Sequence, residues 1–229
     1  MRNSLVVCMA SIVWAAALSS VAQADDADAA IAGIGHQWSA ATYATPDDRK
    51  VATFESVLSD AKRIAQQFPD RAEPKIWEAI VLASLAHVQG GLGALGKAKQ
   101  SRDLLLEAEK IDAKAMDGSI YATLGSLYAN VPGWPIGFGD GKKARAYLDK
   151  AIQIDPSSID SNYFYADFLV DQGDYAAAAQ YLKRAIDAPP RPGREDADAG
   201  RRGEAQAMLA MLRTKHAGAL AASAPAAGS

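Results

Sequence analysis

The chain has 229 residues, with 24 Lys and Arg against 27 Asp and Glu for a formal charge of −3, and 49% of its residues are hydrophobic. That is enough apolar material for one sizeable domain or a short solenoid, and the mildly acidic balance excludes nucleic acid as a partner, since its backbone needs a basic surface to replace counterions. The single cysteine excludes a disulfide framework.

Arg2 precedes an apolar run from Leu5 to Leu18, and Ala22-Gln23-Ala24 offers the small residues of a cleavage site. The run falls short of the roughly 20 apolar residues a membrane span needs. The pattern predicts a secretory signal peptide over residues 1–24, cleaved after Ala24, and a periplasmic location for the remainder. Cys8 lies within the signal, so the remaining chain carries no thiol for a disulfide or a lipid anchor. No second long apolar run follows, and no membrane span is expected.

From there the apolar residues recur at helical spacing, as in Val51, Phe54, Val57, Leu58, Ala61 and Ile64. Proline and glycine fall between such stretches and mark their ends. The predicted helices are 27–43, 47–67, 73–89, 96–111, 117–130, 141–154, 158–172, 175–187 and 196–215. Paired in order, they make four hairpins and a final helix. In that last helix Arg201, Arg202 and Glu204 form a polar side and Ala207, Met208, Met211 and Leu212 an apolar one, as a solenoid cap requires. After His216 the periodicity stops, so residues 25–216 form the helical domain and 217–229 are expected to be a disordered tail.

Two of the hairpins are copies of one unit. Gly125, Ala144, Ala151 and Pro156 in the first correspond to Ala166, Ala178, Ala185 and Pro190 in the second, and from Ala144 to Ala178 is 34 residues, the tetratricopeptide period. Residues 73–111 follow the pattern loosely and 27–67 only in length. The small residues let antiparallel helices approach closely, which predicts that Gly125 faces Ala144 and Ala151. The fold expected is an all-α, TPR-like right-handed solenoid of about four hairpins plus a C-terminal capping helix.

Catalytic and cofactor signals are weak. Gly91-Leu92-Gly93-Ala94-Leu95-Gly96 has the letters of a dinucleotide fingerprint, but a helix rather than a strand precedes it, so an inter-helix loop is expected. His36, His87 and His216 stand apart from any second metal-ligand type at a binding spacing. Asp167 and Asp171 share a helix face and read as a solvated acidic surface. No enzyme activity, metal or cofactor is expected.

Three features point to a partner instead. The connection from Val131 to Gly141 is longer than the repeat needs and carries Trp134, Ile136 and Phe138 among glycines and prolines, followed by Asp140. It reads either as a plug over the hairpin end or as a partner-binding hot spot. The Pro189 to Arg194 stretch is stiff, and Arg191 and Arg194 can either cap and pair internally or take a carboxylate in bidentate fashion. By repeat position Ser119, Ser126, Asn130, Asp160, Tyr163 and Asp167 line the concave face, where solenoids bind.

The segments VPGWPIGFGD, IDPSSIDSNYFYADFL and APPRPGR with the following GRR together resemble the T-component family of tripartite ATP-independent periplasmic (TRAP) transporters. The resemblance covers roughly the C-terminal half. It implies an all-helical protein that partners the transporter's solute-binding protein. By the same resemblance Gly133 to Asp140, Asn162-Tyr163-Phe164-Tyr165 and Pro189 to Arg194 are structural or partner-contact positions. The expected function is a periplasmic adaptor that binds a protein partner, with a carrier of a small hydrophobic ligand in an inter-helix cavity as the alternative. The pattern fixes no oligomeric state.

Overall fold

A computed structural model of the protein describes residues 26–222. The signal peptide and cleavage site expected over residues 1–24 fall outside the described residues. Helix α1 (26–39) runs into a π-helical turn at Ala40–Ala44, and α2 (Asp47–Gln67), α3 (Ala72–Gln89) and α4 (Gly91–Ile111) follow. Then come α5 (Ser119–Asn130), α6 (Gly141–Ile154), α7 (Ile159–Asp171), α8 (Tyr175–Asp187), α9 (Glu195–Lys215) and α10 (Ala217–Ala222). No strand occurs among the described residues.

Local chemistry sets the helix starts. Asp140, Ser158 and Asp174 each accept a backbone N–H of the first turn of α6, α7 and α8, which satisfies donors that a helix start leaves free. Between α3 and α4 a single residue turns the chain: Gly90, at φ 62°, is followed directly by helical Gly91, itself at φ 63°. The glycine-rich stretch expected to be an inter-helix loop is therefore the first part of α4. Two glycines able to adopt positive φ make the reversal, and Gly93 and Gly96 then stand exposed on the helix surface.

Helices α3 and α4, α5 and α6, and α7 and α8 pack as antiparallel hairpins, and α3, α5 and α7 stack in series. A core running from α3 to α9 holds them, with Leu105, Leu124, Leu148, Leu182 and Leu212 fully buried. A Cβ at Gly125 would stand 2.5 Å from Leu148 Cγ and 3.2 Å from the Ala144 carbonyl. Gly125 thus meets Ala144 as expected, but Ala151 does not face it. Ala151 lies against Gly118 one hairpin end away, where a Cβ would come within 3.1 Å of its carbonyl oxygen. Ala166, Ala178 and Ala185 are fully buried in the next hairpin, while Pro156 and Pro190 sit exposed beyond the helix ends.

The first hairpin has its own core. Ile34, Trp38, Phe54, Val57 and Ala61 of α1 and α2 pack on Trp77, Val81 and Leu85 of α3, and Ala197 of α9 joins them. The capping helix therefore reaches back to the start of the solenoid. Tyr43 lies against Gly200, in the space a Cβ there would need, and its hydroxyl donates to Glu204 Oε2 at 3.3 Å. Arg201 is accordingly not on a solvent-facing polar side of the cap: it is 7% exposed.

The first six residues of the expected tail are helical. Residues 217–222 form α10 against α8 and α9, because His216 stacks on Tyr175 (3.7 Å between ring centres) and Leu220 is half-buried on the core. Residues 223–229 lie outside the described residues.

Candidate functional site: a closed concave face and the Trp134 loop

The stacked first helices and the returning α9 line an open-sided cavity of about 930 Å³. Its wall is largely apolar, with Trp38, Phe54, Trp77, Ile80, Leu95 and Phe164 among its members. Ser126, Asn130, Tyr163 and Asp167 line it, as do Ser119 and Asp160. The concave face is thus an open-sided chamber lined by residues from Trp38 to Glu204, where the repeat pattern alone implies a trough of first helices only.

Asn130 and Ser126 are partly engaged with each other, through Asn130 Nδ2 donating to the Ser126 carbonyl at 3.0 Å. Burial pushes the Tyr163 hydroxyl up to about 12, with Glu204 adding to it. Burial also raises the Asp167 carboxyl, and Asp171 adds to that. Asp171 itself is exposed, so only one member of this pair faces the chamber. His87 is exposed near the end of α3 and lines the cavity beside it. Among the described residues no group of three His, Cys, Asp or Glu is placed to hold a metal ion.

One end of the chamber is a charged network. Asp160 Oδ2 takes Arg191 Nη1 at 2.8 Å and Oδ1 takes Arg201 Nε at 2.8 Å. Arg201 Nη1 also donates to Glu204 Oε2 at 2.6 Å, and Arg191 Nε to Asp198 Oδ1 at 2.7 Å. Burial opposes ionisation of Asp160, yet Arg201, Arg191 and Arg194 outweigh it and bring the carboxyl down to about 2. The Arg201 guanidinium lies over Tyr163 at 4.6 Å and Phe164 at 4.8 Å.

The bidentate capacity read into Arg191 is therefore spent within the chain, on Asp160 and Asp198, because the stiff Pro189–Arg194 loop brings it between them. Arg194 differs. It stacks over Trp77 at 4.9 Å, its Nε is buried without an acceptor, and burial followed by repulsion from Arg191 lowers its pKa. Of the Asn162 to Tyr165 run, Asn162 is fully buried and donates to the Pro156 and Ser158 carbonyls. Buried Tyr165 donates to Asp149 at 2.6 Å.

The connection between α5 and α6 divides in two. Phe138 packs edge-on against Tyr128 at 5.3 Å, with the Arg102 guanidinium 4.5 Å over its ring. Trp134 is 89% exposed, and Ile136, 65% exposed, stands at the rim of the cavity. The loop is held by Gly139 N–H to Pro132 O, Asp140 N–H to Tyr128 O, and Gly137 N–H to Gly133 O. Gly139 leaves no room for a Cβ beside the Val131 carbonyl. Asp140 also serves as the cap of α6, its Oδ1 accepting from Lys142 and Lys143 N–H at 2.9 and 3.1 Å. Phe138 thus packs as a plug would, while Trp134 and Ile136 stay exposed.

Sequence reasoning missed Trp77, Trp38 and Arg201 as cavity residues. Arg201 and Glu204 at i, i+3 were visible, but Asp160, 41 positions away, was not a readable partner.

Residues 136–194 match the sequence model of the tetratricopeptide repeat. A solved structure described as the functional characterization of Pseudomonas aeruginosa pilF is similar at 15% identity and a TM-score of 0.35, over 86% of this chain and 96% of that one. No curated protein matches the sequence. The described chain is an all-α, TPR-like solenoid, a fold of protein-interaction scaffolds that are generally not enzymes.

Proposed function

We propose that the protein is a periplasmic adaptor that docks a protein partner through the Trp134 loop, and that the partner is the solute-binding protein of a TRAP-type transporter. The observation that carries docking is the pair Trp134 and Ile136. Among the described residues only three large apolar side chains are exposed, and two of them share this loop. Aromatic anchors dominate interface energies, and a loop already fixed by hydrogen bonds loses little freedom on binding. The periplasmic location rests on the leader at residues 1–24, and the identity of the partner on the resemblance in the Trp134 to Asp140, Asn162 to Tyr165 and Pro189 to Arg194 segments. Among the described residues no helix is long and apolar enough to cross a membrane.

The test places a photo-cross-linking residue at Ile136 and identifies what it captures by mass spectrometry. Capture of a solute-binding protein that disappears in Trp134→Ala supports the reading. An identical set of captured proteins with Trp134→Ala overturns it.

A second reading is supported by the chamber itself. Its volume lies within the roughly 300–1,000 Å³ of small-molecule sites, and such sites are mostly apolar with a few polar groups. In this reading the protein carries a small hydrophobic ligand.

A further inference from the structure

The chamber has a polar end that an apolar solute alone would leave unused. Three Lys and Arg side chains line it: Lys50, Arg194 and Arg201. Lys50 pairs with Asp47 at 2.9 Å, and Arg201 with Asp160 and Glu204. Arg194 has no acidic partner. Its neighbours explain why none is available. Asp160 divides its two oxygens between Arg191 and Arg201, and Asp198 is engaged by Arg191.

A buried donor without an acceptor is rare in a finished fold, and each instance asks for a missing partner. Arg194 Nε is such a donor, itself almost without accessible surface, while the guanidinium that carries it stacks over Trp77 and both side chains line the cavity. Arginine presents a planar fork that fits a carboxylate, and stacking on an aromatic face holds that fork in place. Beside it begins the apolar wall of Trp38, Phe54 and Ile80.

We infer that the chamber binds an amphipathic organic acid, its carboxylate on Arg194 and its apolar body along Trp77, Trp38 and Phe54. This rests on reading the chamber as a ligand site. Orientation follows from the remaining charges. Asp167, which has no cationic hydrogen-bond partner, repels an anionic head from the wall near His87, while Asp160 is neutralised by two arginines and does not. A neutral hydrocarbon solute leaves Arg194 unsatisfied, and a cationic one meets its charge directly.

The test titrates the full mature protein with decanoate and with decan-1-ol, following Trp fluorescence. Decanoate is expected to bind roughly tenfold tighter or more, the scale of a charge-assisted pair. Arg194→Gln removes that advantage without changing decan-1-ol binding, Arg194→Lys retains part of it, and added salt weakens decanoate alone. Thermal melts of both variants check that they fold, and Arg194→Lys keeps the test decisive if Arg194→Gln does not. Equal binding of both probes, unaffected by Arg194→Gln, overturns the anion site and leaves the chamber a site for neutral solutes. Binding of neither probe overturns both the anion site and the ligand reading.

Discussion

Tyr43 occupies the space that a side chain at Gly200 would need, and this contact joins the end of α1 to α9 across most of the chain. With the Tyr43 hydroxyl on Glu204 and Ala197 packed in the N-terminal core, it brings both ends of the row of hairpins together around the chamber. Both residues lie outside the two well-formed repeats, so the joining of the ends comes from the segments least like a repeat.

Gly200→Leu is expected to push Tyr43 away and cost about 1–3 kcal/mol, the usual penalty of overpacking. Because Trp38 stacks near Tyr43 at 6.0 Å between ring centres, the emission of the opened protein should shift as well. A wild-type melting temperature with wild-type emission would show that the contact does not hold the ends together.

Two further glycines separate close packing from mere tolerance. Gly125→Leu drives a side chain into Leu148 and the Ala144 carbonyl, and should cost about 1–3 kcal/mol or more. Gly203 in α9 has nothing within 4 Å of its missing Cβ and is exposed. Gly203→Ala should therefore raise stability by about 0.5–1 kcal/mol through helix propensity alone. Chemical denaturation of both variants reads the opposite signs directly.

These contacts also mark how far the sequence could be read. The helices up to α9, most of their boundaries and the close approach at Gly125 follow from a period and from small residues, which are local signals; α10 does not. The chamber is not local. Asp160 meets Arg201 from 41 residues away, and Tyr43 meets Glu204 from 161 away. Pairings between polar residues on different helices leave no periodic trace, so Arg201 read as part of a solvent-facing cap and Arg191 stayed open between internal pairing and binding. Asp140 poses a different ambiguity. A carboxylate at the end of a glycine-rich loop resembles a binding residue and a helix cap equally, and only the N–H groups of Lys142 and Lys143 reveal the cap.

Asp160 should make stability fall in acid. Its folded carboxyl titrates at about 2, below the unfolded value near 3.9. A depressed folded value means the stabilisation is complete above the unfolded pKa and is lost as pH falls from about 4 through 2. The expected loss is about 2 kcal/mol over that window. Asp160→Asn should remove this dependence at every pH and cost about 3–5 kcal/mol near neutrality, since it strands buried Arg201 and Arg191. Melting temperatures of both proteins between pH 2 and 7 test this; parallel curves would show that Asp160 does not anchor the network.

The Trp134 loop predicts a division between two aromatic residues four positions apart. Phe138 holds the loop to α5 through Tyr128 and to α4 through Arg102. Phe138→Ala should lose roughly 1–3 kcal/mol, less than the 3–5 kcal/mol of a fully buried phenylalanine because its ring is only partly covered. Trp134 contributes almost no buried area, so Trp134→Ala should leave stability within about 0.5 kcal/mol of wild type. The functional consequence runs the other way. If docking uses the exposed pair, Trp134→Ala abolishes partner capture in a protein that melts normally, whereas Phe138→Ala weakens capture only as far as it loosens the loop. Unequal loss of capture at equal stability would assign the contact to Trp134 itself; loss that tracks the melting temperature in both variants would make the whole loop a structural plug.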